Sequence, residues 1–169
     1  TNNGNLVRKA IMTTVQDAWK RIGVKAHTQV FEWAVFLEDF INPGDFDAVI
    51  LGWGLSPDPD LHAIWHSSQT AFGEFNFVGY ENQEVDDLIL RIRREYDGTK
   101  QQLLTHELHR IIATDQPYTF LFSSLKTRIL DRKIAMKENG KIVPLRASAS
   151  GDLLYHFNRW HKLEHTSRF

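Results

Sequence analysis

The sequence of residues 46–53, Phe-Asp-Ala-Val-Ile-Leu-Gly-Trp, is compatible with few kinds of secondary structure. The run is nearly continuously apolar, as is typical of a strand that is covered on both faces in a parallel sheet. Before it, a short helix is predicted over residues 33–41, ended by Asn-Pro-Gly at 42–44, and a strand of alternating polarity over residues 24–30. Strand, crossover helix and buried strand in this order predict an α/β fold.

Apolar side chains at helical spacing predict further helices along the chain. The first has its apolar face over residues 7–22, with Gly23 as the residue that ends it. Beyond residue 131 the pattern predicts only a turn at Gly140 and an apolar stretch over residues 153–160. The remaining predicted elements are helices around residues 61–67, 85–96 and 104–112, and strands over residues 118–123 and 126–130.

The bulk composition excludes several classes of protein. A chain of 169 residues with 42% hydrophobic residues is expected to fold as one domain, residues 1–169, with a real core. Its formal net charge of -1 gives no basic excess for nucleic acid, so no nucleic-acid partner is expected. No apolar run approaches the roughly 20 residues that span a bilayer. Because the chain opens on a helix with no strand before it, we expect it to be one lobe of a larger protein.

The segment that follows the predicted buried strand is the densest candidate site. Ligands of open α/β sheets bind at the carboxyl ends of the strands. Trp53 offers a large apolar face there, Gly52 permits close approach of the backbone, and Asp58 and Asp60 can accept hydrogen bonds from a ligand amine. The alternative is that Trp53 belongs to the core and that the two aspartates form a turn and cap the next helix.

Two other places carry aromatic and amide side chains. Trp33 follows the predicted strand 24–30, so the same argument from strand ends applies to it, and ordinary packing is its alternative. Asn76, Phe77 and Tyr80 lie in a segment whose composition is common in binding loops. The alternative for this segment is an edge strand followed by Asn82 as the cap of the next helix.

Catalytic and metal signatures are weak. His62 and His66 are spaced to share a helix face, but Ala63 stands where a zinc hydrolase would place its glutamate, and a third ligand is not evident. No nucleophile elbow or phosphate loop is present. Two carboxylates at Asp58 and Asp60 could share acid and base roles, which keeps a hydrolase as the alternative from another class. We therefore expect no catalytic residues, no metal site and no cofactor.

Eight short segments, in their order and spacing, resemble the C-terminal lobe of the oligopeptide, dipeptide and nickel-binding family, family 5, of extracytoplasmic solute-binding proteins. Each segment alone is a weak signal, and the likeness extends over about residues 5 to 130. The segments are Arg-Ile-Gly-Val-Lys (21–25), Phe-Glu-Trp-Ala-Val-Phe-Leu (31–37), Gly-Asp-Phe-Asp-Ala (44–48), Gly-Trp (52–53), Asp-Pro-Asp (58–60), Asn-Phe-Val-Gly-Tyr (76–80), Asn-Gln-Glu-Val-Asp (82–86) and Asp-Gln-Pro (115–117).

The resemblance implies a periplasmic-binding-protein type II lobe, a three-layer sandwich with a central mixed sheet, from a bilobed protein that closes on its ligand. The protein would be the non-catalytic substrate-binding component of an ABC-type importer, periplasmic or otherwise extracytoplasmic and lipid-anchored. Its partners would be a peptide or other small solute, the permease subunits in the membrane, and an N-terminal lobe of the same protein that this sequence lacks.

The resemblance also implies roles for individual residues. Trp33 and Trp53 would line the side-chain pocket, with the loop 76–80 nearby. Peptide-binding members place an aspartate three residues after the second tryptophan, where it pairs with the ammonium of the peptide. Here that position is Ser56, so either Asp58 substitutes or the amine contact is lost. Because an unpaired buried ammonium is costly, its loss would favour blocked peptides, oligosaccharides or metal complexes as ligands.

Overall fold

The computed structural model describes residues 1–54, 60–124, 127–148 and 152–164. The chain divides into two compact units. The first contains residues 1–53 and 60–119, and the second contains Gly54 and the described residues from 120 onward. Each unit is described by itself below. Within the described ranges, none of the helices combines the length and the apolar character needed to cross a membrane.

Helix α1, Leu6–Arg21, confirms the first predicted helix. The Asn5 side chain caps its start by accepting a hydrogen bond from a first-turn amide at 3.0 Å, and Gly23 follows its end with φ +85°. None of its residues, all of which the structure describes, is buried, and Val7 and Ile22 of the predicted apolar face are 57% and 74% exposed. The predicted helix is therefore present, but its apolar face is not buried.

The short helix predicted over residues 33–41 is present in two parts. Helix α2, Trp33–Val35, continues into the wider, π-helical turns of Phe36–Ile41. Both Phe36 and Ile41 are buried. The helix ends at the predicted place, where Gly44 adopts a φ of +73° that other residues rarely take.

The core of the first unit lies among helices α3 (His62–Trp65), α4 (Gln83–Arg94) and α5 (Gly98–Asp115). Burying a side chain such as leucine or valine contributes roughly 1.5–3 kcal/mol relative to leaving it in water. Burial of these side chains therefore stabilises the packing of the three helices. The buried core residues are Ile64, Trp65, Val85, Leu88, Ile89, Leu108 and Ile112.

The ends of α4 and α5 follow standard capping chemistry. Asn82 accepts from the Glu84 amide at 3.0 Å to begin α4, and the Asp97 carboxylate accepts from the Thr99 amide at 2.9 Å to begin α5. Side-chain oxygens at these positions satisfy amides that lack a partner within the helix. Tyr96, which was included in the predicted apolar stripe of α4, lies beyond the end of the helix and is 96% exposed.

The strands predicted at 24–30, 46–53, 118–123 and 126–130 do not form as hydrogen-bonded strands in the described residues. The first two segments are held instead by the start of the chain. Phe31, which directly follows the first segment, makes an isolated parallel bridge with Asn2, and the Thr1 hydroxyl donates to the Ile50 carbonyl at 2.9 Å. A ladder requires a neighbouring strand in register, and an apolar pattern cannot supply one. The burial expected of residues 46–53 is likewise only partial.

The second unit contains a three-stranded antiparallel sheet in the order β2-β1-β3. Its strands are β1 (Ile134–Glu138), β2 (Lys141–Val143) and β3 (Trp160–Lys162), the last preceded by the 3-10 turns of Leu154–Arg159. Asn139 and Gly140 connect β1 to β2 with φ of 50° and 80°, the positive pair that a tight two-residue hairpin turn requires. The predicted Gly140 turn is confirmed, but the sheet around it was not predicted.

Candidate ligand-binding site

Trp53 lies at the end of the extended segment 46–53 and is 41% exposed. Its ring is stacked on Phe77, with centroids 6.0 Å apart, and meets the edge of Phe75 at 5.6 Å. Gly52 precedes it, where a Cβ would stand 3.5 Å from the Arg8 guanidinium, at ordinary contact distance. The predicted apolar side chain of Trp53 is thus partly open to solvent and packs against two other rings.

Phe77 is the centre of this aromatic group. Its other neighbours are Tyr118, nearly parallel to it at 6.2 Å, and Phe46, edge-on at 6.1 Å. Aromatic pairs at such separations stabilise one another beyond the apolar area that they bury. The result is a layered aromatic wall, a name we use for Trp53, Phe77 and Tyr118.

Tyr118 was not among the predicted site residues, because sequence reasoning placed it at the start of a strand. Its ring also lies 4.6 Å from that of Trp65 in the helical core. Burial raises the pKa of the Tyr118 hydroxyl to about 12, against a smaller lowering by hydrogen bonding with the Trp53 side chain. The only available sequence signal was its position directly after Pro117 in the Asp-Gln-Pro segment.

Asn76 shapes the loop that carries Phe77. The residue is fully buried, and its amide donates to the carbonyls of Tyr80 at 2.8 Å and His66 at 3.2 Å. Its side-chain oxygen accepts from the Tyr80 amide at 3.0 Å. Gly79, with φ +65°, closes the turn by donating to the Asn76 carbonyl at 3.0 Å. The side-chain amide of Asn76 therefore engages the loop and the end of α3.

Tyr80 closes the loop at its other end. Its hydroxyl donates to Asp115 Oδ2 at 2.6 Å, and its ring meets Trp65 edge-on at 5.9 Å. Burial, with a further contribution from the Asp115 carboxylate, raises the pKa of the Tyr80 hydroxyl well above its ordinary value. Hydrogen bonds from Tyr80 and Asn82 lower the pKa of Asp115. The carboxylate is thus held in its charged form at the end of α5.

Trp33 lies in a different aromatic group. It begins α2, is 44% exposed, and its ring stands 6.2 Å from Phe36. Phe36 is in turn stacked with Phe31 at 6.5 Å, and Phe31 with Phe40 at 4.2 Å. Both indole rings that the sequence analysis selected therefore remain partly open to solvent.

Ser56 and Asp58 lie outside the described residues, so the expected amine contact remains a prediction. Asp60 is described, and its carboxylate accepts from the amide of His62, the first residue of α3, at 3.1 Å. This resembles the capping role that was its alternative, although the N-cap position of the helix is Leu61. The same carboxylate forms an ion pair with Arg93 at 3.1 Å. These two contacts account for Asp60 without a catalytic function.

His62 and His66 do share a face, with ring centroids 4.4 Å apart. Burial is the main cause of a lowered pKa at His62, followed by repulsion from His66. His66 Nδ1 accepts from the Ser68 amide at 3.1 Å, which leaves one ring nitrogen outside this contact. Within the described ranges, no group of three or more histidine or acidic side chains is arranged to hold a metal ion.

The first 73 residues match the family described as bacterial extracellular solute-binding proteins, family 5 Middle. The chain is 42% identical over 123 residues to the oligopeptide-binding protein AppA of Bacillus subtilis, which covers 72% of this chain and 22% of that protein. It is 27% identical over 112 residues to di/tripeptide-binding protein 1 of Pseudomonas aeruginosa, covering 66% of this chain and 21% of the relative. The chain thus spans about a fifth of the length of these relatives.

Solved structures show the same similarity. AppA from Bacillus subtilis in complex with a nonapeptide matches 96% of this chain and 31% of that structure, with a TM-score of 0.67 and 31% identity. NikZ from Campylobacter jejuni in complex with Ni(L-His) matches 94% of this chain and 31% of that structure, with a TM-score of 0.59 and 18% identity, a likeness of fold. The predicted α/β class, a lobe of the periplasmic-binding-protein type II fold, is confirmed by these matches.

Proposed function

The chain belongs to family 5 of the bacterial extracellular solute-binding proteins, and on that premise we propose that it forms part of a receptor for peptides or peptide-like solutes. The receptor captures its ligand outside the cytoplasmic membrane and delivers it to an ABC-type importer. This chain contributes one wall of the binding cleft, and an N-terminal lobe of the same protein contributes the other.

The exposed Trp53 ring on its aromatic support carries this proposal. An apolar face fixed by stacked neighbours is suited to hold ligand side chains, since ligand sites are mostly apolar with a few placed polar groups. Two relatives of this chain are named for binding oligopeptides and di- or tripeptides. A peptide supplies side chains for such a wall and a main chain for hydrogen bonds elsewhere in the cleft.

We further propose that the protein is not an enzyme. Asp60, one half of the acidic pair considered from the sequence, already accepts a hydrogen bond from the first amide of α3 and pairs with Arg93. Ser67, which follows His66 in the sequence, donates its hydroxyl to Asp86 at 2.5 Å and not to a histidine that could act as its base. Capture without chemical change accords with both observations.

The proposed partners follow from the same role. Permease subunits in the membrane would receive the ligand from the closed receptor. The site of action would be the periplasm, or the outer face of the membrane if the full-length protein carries a lipid anchor. The near-neutral charge of the chain fits binding to a solute rather than to nucleic acid.

Calorimetry on the full-length protein with a panel of oligopeptides tests the proposal. We expect binding by the unaltered protein and a loss of tenfold or more for Trp53→Ala, on the order of the 1.4 kcal/mol that corresponds to a tenfold change. Tyr96→Ala is the matched control, because this aromatic ring is 96% exposed and lies outside the wall. Equal affinities for Trp53→Ala and the unaltered protein would remove the aromatic wall from the binding site.

Asp58 needs its own variant. If it pairs with a ligand ammonium in place of the aspartate missing at Ser56, Asp58→Asn lowers affinity for free-amine peptides and leaves N-acetylated peptides unaffected. Equal affinity of Asp58→Asn and the unaltered protein for a free-amine peptide would exclude that role. Native mass spectrometry of the protein as purified distinguishes a co-purified peptide from an oligosaccharide or a metal complex, the alternative ligands.

A further inference from the structure

Asp115, the last residue of α5, joins three parts of the first unit through one oxygen atom. Its Oδ2 accepts a hydrogen bond from the Tyr80 hydroxyl at 2.6 Å and another from the Asn82 side-chain amide at 2.8 Å. Tyr80 ends the loop 76–80, and Asn82 caps the start of α4. A single carboxylate thus ties the end of one helix to the start of another and to the loop between Asn76 and Tyr80.

The charge of Asp115 is unfavourable for its own helix. The C-terminal end of a helix carries a partial negative charge, so an acidic residue is repelled there and a basic residue is favoured. The helix is followed by Gln116 in the left-handed conformation, with φ 51°, and requires no carboxylate to end it. The position of this carboxylate is therefore better explained by the two hydrogen bonds it accepts than by any benefit to α5.

Two of the aromatic-wall rings lie in chain segments that Asp115 connects. Phe77 lies inside the loop that Tyr80 closes, and Tyr118 lies three residues after Asp115 along the chain. These two rings are stacked 6.2 Å apart with only 19° between their planes, and Phe77 is also stacked with Trp53, at 6.0 Å and 25°. Fixing Tyr80 to Asp115 therefore fixes the distance between the chain segments that carry the wall.

We propose that Asp115 is a positioning residue for ligand side chains: its hydrogen bonds to Tyr80 and Asn82 hold Phe77 against Tyr118, so that Trp53 presents a fixed apolar face. This rests on the proposed function. Asp115 itself does not contact the ligand, and it acts only on the part of the affinity that comes from apolar side chains of the ligand.

The test compares two peptides that differ in one side chain, phenylalanine or alanine, with the full-length protein. The variants are Asp115→Ala, which removes the acceptor, and Asp115→Asn, which keeps an oxygen for both donors. Tyr80→Phe removes one donor and keeps the ring, and Asp17→Ala is the matched control for loss of an exposed helical acid. Binding is measured by calorimetry well below the unfolding temperature.

We expect Asp115→Ala to reduce the preference for the phenylalanine peptide several-fold, with little change for the alanine peptide. Asp115→Asn should restore most of that preference, and Tyr80→Phe should add little when combined with Asp115→Ala, because both remove the same link. If Asp115→Ala fails to fold, Tyr80→Phe alone tests the link, with the same loss of preference expected.

An unchanged preference in Asp115→Ala, or in Tyr80→Phe where it stands in, would overturn the proposal while leaving peptide binding intact. An equal loss of affinity for both peptides would also overturn it, because a general weakening of the fold acts on every ligand alike. If the unaltered protein binds neither peptide, the proposed function fails first, and the positioning role fails with it.

Discussion

Ser67 donates twice to the carboxylate of Asp86, from its amide to Oδ1 at 2.9 Å and from its hydroxyl to Oδ2 at 2.5 Å. Asp86 lies in the first turn of α4 and is only 6% exposed, and Ser67 begins the 3-10 turn that follows α3. A buried carboxylate is costly unless it is hydrogen-bonded, so the pair fixes the α3 segment against α4. This contact was not predicted from the sequence.

Ser67→Ala is expected to destabilise the protein by about 1–2 kcal/mol, because the Asp86 carboxylate loses its hydroxyl donor while the Ser67 amide remains. The matched control is Ser68→Ala, which removes the hydroxyl of an exposed neighbour. Urea denaturation of the full-length protein measures both. A cost for Ser67→Ala no larger than that for Ser68→Ala would show that Asp86 does not depend on the hydroxyl.

Asn76→Ala is expected to cost about 2–3 kcal/mol, since the carbonyls of Tyr80 and His66 lose their donor and the Tyr80 amide loses its acceptor in a fully buried site. Hydrogen exchange across residues 76–80 should rise together with this loss. Stability equal to that of the unaltered protein would mean that the loop keeps its conformation without the Asn76 amide.

Two glycine substitutions with opposite expected effects on stability test the conformational role of each glycine. A Cβ on Gly79 meets no atom within 4 Å, but its φ of +65° strains any other residue, so Gly79→Ala should destabilise by about 1 kcal/mol. Gly98→Ala, also in open space but at the start of α5, should stabilise by about 0.5–1 kcal/mol. Thermal unfolding of both variants measures the two changes in stability. The same direction for both would contradict the conformational argument.

The Asp115 carboxylate should make stability depend on pH in the acid range. The pKa of Asp115 is lowered in the fold from an ordinary value of 3.8. The charged carboxylate therefore stabilises the fold above pH 3.8, and this stabilisation is lost as the pH falls from 3.8 to the lowered pKa. Asp115→Asn should therefore unfold with a flatter acid dependence than the unaltered protein between about pH 5 and pH 2.

A direct titration complements that measurement. Tyr80→Phe removes the larger of the hydrogen bonds that lower the pKa of Asp115, so the carboxyl should titrate closer to its ordinary value in that variant. Carbon-13 NMR of the Asp115 carboxyl follows this change. Identical titrations in the variant and the unaltered protein would show that the hydroxyl of Tyr80 does not stabilise the charged form.

The helices were predictable because each is specified by neighbours within a few turns. Asn5 and Asn82 cap starts close to those that the apolar spacing predicted, and Gly23 follows the end of α1. Asp97 caps α5 at Gly98, well before residue 104, where the predicted apolar stripe of that helix begins. The same local chemistry explains the hairpin turn at Gly140. Tyr96 shows the limit of this reasoning, since it continues the spacing of α4 but lies past the residue where the helix ends.

The strands were not predictable in the same way. Residues 46–53 have the composition of a buried strand, but a strand exists only when another segment pairs with it, and pairing is a relation between distant parts of a chain. In the described chain, Ile50 accepts a single hydrogen bond from Thr1 instead. Apolar composition thus indicates what a segment is suited for and does not identify its partner.

For the candidate site, the sequence by itself determined which side chains are available: Trp53 after an apolar run, and Phe77 in a loop made tight by Asn76 and Gly79. The tertiary structure alone decided what they touch. It stacked Phe77 with both Trp53 and Tyr118 and brought Asp115, 35 residues away, to the hydroxyl of Tyr80. Composition and spacing act over a few residues, whereas these contacts depend on how three helices pack, a property of the whole unit.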